Sequence, residues 1–160
     1  MAKNKKPTKK YRPKPRVHGA LPITYRFSQE NETDLQLIPH TSLSKFKEGV
    51  ADSQDWHTLA ARLNLGNTLA YTHYEGEVKQ MMDRAALALR SVFKRHEDIG
   101  KWGCTGDEFN AMGDGLNLTD QMQKECTRRQ LHDAMAHVIR NAAINRDKIP
   151  VEAIIADMGI

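Results

Sequence analysis

Beyond residue 40, apolar side chains return every three or four residues, which places them on one face of an α-helix and excludes the strict alternation of a half-buried strand. The clearest case is 75–97. There Val78, Met81, Met82, Ala85, Leu89, Val92, Phe93 and His96 share one side, while Lys79, Asp83, Arg84, Arg90, Lys94 and Arg95 lie mostly off it. Glu75 and Glu77 near its start and Lys94 and Arg95 near its end suit the helix dipole.

The same reasoning sets out the remaining helices. Thr41 or Ser42 is expected to cap a short helix with Leu43, Phe46 and Val50 inward, ended by Gly49. Ser53 or Asp55 is expected to cap the next, whose stripe is Trp56, Leu59, Ala60, Leu63, Gly66 and Ala70. Gly66 and Ala70 are small enough to admit another helix closely, and Trp56 reads as a core anchor. After a glycine-broken loop over 98–104, Thr105 and Glu108 form a capping box for a fourth helix with Phe109, Met112 and Leu116 inward. Gly113 and Gly115 are expected to weaken its end. Thr119 is then expected to cap a fifth helix, with Met122, Cys126, Leu131, Met135, Val138, Ile139 and Ala142 on its apolar side and Asn145 as C-cap. Pro150 suits the first position of a short final helix carrying Ile154, Ile155 and Met158. The expected fold is all-α: an antiparallel bundle of four to five helices over 41–146, followed by a short helix in 147–160.

Ahead of the bundle the composition changes. Residues 1–16 hold six Lys and two Arg with no Asp or Glu, a side-chain charge of +8; the whole chain sums to +4, which leaves −4 on residues 17–160. Pro7, Pro13 and Pro15 block helix there and like charges block collapse, so a disordered basic arm is expected. Residues 17–40 read as an extended strap or linker: Leu21, Ile23, Tyr25 and Phe27 alternate, Pro22 argues against a central strand, and 28–34 is polar enough for a linker or a first helical turn.

A cationic arm on an acidic body points to a polyanion, DNA or RNA or a nucleoprotein. The candidate contacts are Lys3, Lys5, Lys6, Lys9, Lys10, Arg12, Lys14 and Arg16, with Tyr11 placed to stack on an unpaired base. Arg90, Lys94 and Arg95, extended by Lys101, form a second basic cluster. Lys124, Arg128 and Arg129 form a third. Ordinary solvated helix faces account for both, unless the two adjoin and prolong the arm's track.

Other chemistries find little support. His132 and His137 are five residues apart and fall on different faces of a helix, unlike a zinc-binding pair at four-residue spacing. Cys104 precedes a helix start, with His96 upstream, but beside Trp102 in a glycine-flanked loop it reads as packed rather than nucleophilic. Gly113-Asp114-Gly115 follows no strand and is not a phosphate loop. The internal methionines read as core filling, or alternatively as an adaptable groove. No cofactor or metal is implied. No apolar run approaches the length of a membrane span, the basic start is not followed by the apolar stretch of a secretory signal, and two cysteines make no disulfide framework. A reducing cytoplasm is therefore expected.

Asn4-Lys5-Lys6-Pro7 with Lys9-Lys10-Tyr11-Arg12-Pro13-Lys14-Pro15, and Phe46-Lys47-Glu48-Gly49-Val50-Ala51 followed by Asp55-Trp56, resemble small uncharacterised proteins of bacterial phages and prophages that begin with a Lys/Arg/Pro-rich arm. That group has no established activity and supplies no functional residues. The resemblance implies a setting, a phage-derived accessory protein in the cytoplasm of a bacterial host. Two readings follow. In the first, a non-enzymatic protein binds nucleic acid or a nucleoprotein through its arm. In the second, the acidic helical body is a protein-interaction module that inhibits a host or defence complex. A hydrophobic stripe left exposed by the bundle would serve as a homodimer face.

Overall fold

The computed structural model describes residues 29–145. They form α1 (Gln29–Glu48), α2 (Ser53–His73), α3 (Glu77–Ile99), α4 (Gly106–Glu125) and α5 (Arg128–Asn145), with no strand among the described residues. The described residues are all-α, as the apolar spacing predicts. The basic arm, the strap over 17–27 and the short helix expected in 147–160 lie outside the described residues. Among those described, no helix is long and apolar enough to cross a membrane.

Consecutive helices run antiparallel, and α2 is the hub, touching all four others. The core is the stripe predicted on α2 (Trp56, Leu59, Ala60, Leu63 and Ala70), closed by Met82, Ala85, Leu89 and Val92 of α3, Met112 and Leu116 of α4, and Leu43 and Phe46 of α1. Two glycines let α2, α3 and α4 meet at short range. A methyl group at Gly66 would stand 1.9 Å from Thr119 Oγ1 and 2.9 Å from Met82 Cε, and one at Gly115 would stand 2.5 Å from the Ala85 Cβ. Only a hydrogen fits at either place.

The helix ends depart from expectation in instructive ways. Residues 29–40, expected to be part of an extended strap or linker with at most a first helical turn over 28–34, belong to α1, which runs through Pro39. Proline costs a helix one hydrogen bond, but Pro39 is buried, and the next residue is tied to α4 by His40 Nε2 and Asp120 Oδ2 at 3.3 Å. Packing carries the helix across a local break. Gly49, at φ 74°, ends α1 in the left-handed region and turns Val50 out to solvent rather than into the core. The cap of α2 is Asp52, not Ser53 or Asp55: the Asp55 amide donates to Asp52 Oδ1 (2.9 Å) and the Asp52 amide to Asp55 Oδ2 (3.1 Å). The Thr105/Glu108 capping box opens α4 as predicted.

Thr119 caps nothing. It sits inside α4, fully buried, and its hydroxyl donates to the Gly115 carbonyl at 2.7 Å. α4 therefore continues through Gly113 and Gly115 and takes in Met122, with Cys126 as its C-cap. The true start of α5 is a reciprocal pair one helix later: the Thr127 amide donates to Gln130 Oε1 (2.8 Å) and the Gln130 amide to Thr127 Oγ1 (3.2 Å). This is the Thr-x-x-Gln form of the capping box, whereas Thr119 has a methionine three residues on. On α5 only Leu131 and Ala134 are buried. Met135 and Ile139, expected inward, are 43% and 64% exposed.

Candidate functional site

Of the predicted nucleic-acid contacts, Lys3, Lys5, Lys6, Lys9, Lys10, Tyr11, Arg12, Lys14 and Arg16 lie outside the described residues. The structure places the other three on the last turns of α3. Arg90 and Lys94 are exposed. Arg95 is turned inward. Its Nη1 and Nη2 donate to Glu108 Oε2 and Oε1, both at 2.9 Å, and Nη1 also donates to the Gly103 carbonyl at 2.7 Å. A bidentate guanidinium held this way clamps the α3–α4 loop and is committed to the fold. Burial pushes the Glu108 carboxyl up, but Arg95 and Thr105 outweigh it and hold the group below the ordinary carboxylate range.

The second and third basic clusters do not adjoin. Arg95 is level with Glu108 at the start of α4, while Lys124 lies at the end of that 20-residue helix, about 24 Å further along at 1.5 Å per residue. No continuous cationic track joins them.

The buried charges are likewise spoken for. Arg62, 7% exposed, donates from Nη2 to Asp120 Oδ1 at 2.5 Å and from Nη1 to Gln123 Oε1. Asp120 also meets His40, so one cluster ties α1, α2 and α4 together. Asp55 receives Lys45 Nζ at 2.9 Å and Ser42 Oγ at 3.0 Å, which fastens α1 to the start of α2. Burial raises the Asp55 carboxyl, and Lys45, the Asp52 amide and Ser42 together bring it below its ordinary value.

Trp102 closes an aromatic group made of Phe46, Trp56, Phe93 and His96. Its ring stacks on the His96 imidazole with centroids 3.8 Å apart. Cys104, two residues on, packs against this core. Burial, then the nearby Glu108 charge, push its thiol pKa up, opposite to what a nucleophile needs. Cys126 is buried and its thiol is likewise raised by burial. His132 and His137 are exposed on α5, where His132 faces Asp133 and His137 faces Asn141. Among the described residues no three His, Cys, Asp or Glu converge to hold a metal.

One feature was missed in the sequence. Between α2 and α5 runs a cleft of about 510 Å³. Its floor is Trp56, Ala60, Ala134 and Val138, and its lips carry Asn64, Thr68, Tyr71 and His73 from α2 and Asp133, His137 and Asn141 from α5. Its lining holds no Lys or Arg and a single carboxylate, so it suits an uncharged surface or group rather than a phosphate. The signal was present on α2: Ala61, Asn64, Thr68, Tyr71 and Thr72 recur at helical spacing opposite the core stripe. Nothing in that pattern says that a helix lies across it. Comparison of the chain with protein-family models, with curated proteins and with solved structures finds no match.

Proposed function

We propose that this protein is a non-enzymatic polyanion binder, a phage accessory protein in the bacterial cytoplasm that grips DNA, RNA or a nucleoprotein through residues 1–16 while its helical body serves as the anchoring module. The observation that carries this reading is the segregation of charge: +8 on sixteen residues against −4 on residues 29–145. Eight cations in one short segment displace condensed counterions from a phosphate backbone without reading bases. The body supports the division of labour from the other side. Its Arg62, Arg95 and Lys45 are bound to Asp120, Glu108 and Asp55, and its exposed basic clusters are separated by the length of a helix. Arg90 and Lys94 remain as accessory contacts at one end.

The test is a salt titration of binding to short single- and double-stranded DNA and RNA, with the full chain compared to residues 17–160. A steep dependence on salt in the full chain, lost together with most of the affinity when residues 2–16 are deleted, is the expected result. Equal binding by both forms would overturn the proposal.

A second reading is favoured by the cleft between α2 and α5. A groove with no Lys or Arg and a single carboxylate, on an acidic body, suits a protein partner, such as a host or defence complex that the body inhibits. A complex that co-purifies with residues 17–160 and survives nuclease treatment would select this reading.

A further inference from the structure

We infer that the cleft between α2 and α5 takes one unpaired base of a single nucleic-acid strand whose backbone is held elsewhere by the basic arm. The assignment rests on the polyanion reading and names the part of the strand that the body holds. A base is the uncharged part of a nucleotide, and a lining with no Lys or Arg and one carboxylate suits it where a phosphate would not. The volume also fits: about 510 Å³ lies within the roughly 300–1,000 Å³ of sites that enclose a small molecule.

The polar groups of the cleft narrow the choice further. Most are spent on the protein itself. The Thr68 and Thr72 hydroxyls donate back along α2, to the Asn64 carbonyl at 2.9 Å and the Thr68 carbonyl at 2.7 Å. Gln130 Nε2 meets His73 Nδ1 at 3.4 Å, and Asn141 Nδ2 meets His137 Nε2 at 3.0 Å. The half-buried Asn64 carboxamide lines the cleft and makes no side-chain hydrogen bond among the described residues. A carboxamide offers a donor and an acceptor in one plane, the pattern that pairs with the edge of a base.

Tyr71 supplies the aromatic ring. It stands seven residues after Asn64, within about 20° of the same direction and about 10 Å along α2, so a flat ring fits between the two. The Tyr71 hydroxyl donates to Asp83 Oδ1 at 2.7 Å, and the Lys79 ammonium lies 5.3 Å from the ring centroid. A ring fixed in this way at the lip is a stacking partner for a base. A cation stands at the His73–Gln130 end of the cleft. The Arg129 side chain is 92% exposed, and its Nε lies 3.7 Å from the lip carboxylate of Asp133. So exposed a pair is weak, and the guanidinium can turn to a phosphate beside the seated base. A neutral cleft ending at a loosely held guanidinium matches a nucleotide in both of its parts.

The experiment compares two probes on the full chain at one salt concentration: a short single strand, and a sugar-phosphate chain of equal length without bases. The unaltered protein is expected to bind the strand several-fold more tightly. Asn64→Leu removes the carboxamide, and Ala61→Phe fills the cleft from an exposed position on α2. Each should lower the affinity for the strand to that for the base-free chain, with helix content, affinity for the base-free chain and salt slope unchanged. Equal binding of the two probes by the unaltered protein would overturn the assignment, return the cleft to a protein partner and leave the arm's role standing. A preference for the strand that survives in either variant would overturn it too, and would place the base contact at Tyr11. Binding of neither probe at any salt would overturn the polyanion reading as well. A second readout needs no variant. A strand carrying 5-iodouracil should photo-crosslink to Tyr71 or His137 in the unaltered chain, and crosslinks confined to Tyr11, or none to α2 or α5, would overturn the assignment independently.

Discussion

Helices α2 and α5 are similar in length, 21 and 18 residues, and both carry an apolar stripe, yet they occupy opposite situations. α2 is gripped by all four other helices, and most of its stripe is under 3% exposed. α5 rests on α2 through Leu131 and Ala134, and leaves Met135 and Ile139 in solvent. A stripe shows that a helix has an inside. It does not say how many neighbours will use it. The cleft between the two helices is a product of that inequality: α5 approaches α2 over alanines and touches it along one edge, which leaves a lined groove beside the contact.

The comparison can be broken most directly by cavity. Leu59→Ala, in the fully buried centre of α2, is expected to cost about 4 kcal/mol and Leu131→Ala about 2 kcal/mol, since the second site can relax toward solvent. Denaturant unfolding of the two variants measures the difference, and an equal loss would show that α5 is as integral as α2. Overpacking comes next. Gly115→Ala pushes a methyl into the Ala85 Cβ and should cost about 1–3 kcal/mol of global stability by thermal or chemical unfolding. A neutral result would mean that α3 and α4 can move apart without loss.

A sharper test concerns the α5 cap. Thr127→Ala removes the hydroxyl that receives the Gln130 amide and should cost about 1 kcal/mol. Because α5 is held on one side, the change should appear as lost hydrogen-exchange protection in α5, with α2 and α3 unchanged. Uniform loss across all helices would place α5 inside the same cooperative unit.

The smallest expected effect is a pH dependence. Asp55 and Glu108 both have carboxyls held below the ordinary range in the folded chain. Their contribution is complete above the unfolded values of about 3.9 and 4.3, and is lost as pH falls from there through the folded values. Stability should therefore decline on acidification below about pH 4, less steeply in Asp55→Asn, which abolishes one of the two titrations. Asp55 ties α2 to α1 and Glu108 ties α4 to α3, and neither holds α5, so α5 should show no separate acid transition.

Much of the bundle was legible before any coordinates. The stripe of α2 and most of that of α3, the Thr105/Glu108 box and the close approach at Gly66 follow from residue spacing and size, because each depends on neighbours within a few positions in the chain. The failures share a cause. Pro39 and Gly113-Asp114-Gly115 look like breaks to local rules, but His40–Asp120 and the contact of Gly115 with Ala85 make continuous helix the better solution. Arg95 looks like one of several surface cations until Glu108, thirteen residues away, captures it. Thr119 carries the chemistry of a cap, and is spent instead on a carbonyl inside its own helix and on filling the space at Gly66.

By itself, then, the sequence determined that this chain is helical, which faces seek burial, and that its positive charge is gathered ahead of an acidic body, since periodicity, capping and net charge are local or additive properties. Only the tertiary structure decided which stripe would be enclosed and which left open, which cations would be locked into ion pairs, and where a cleft would form. Those outcomes depend on which helices become neighbours, a choice set by packing between residues far apart in the chain.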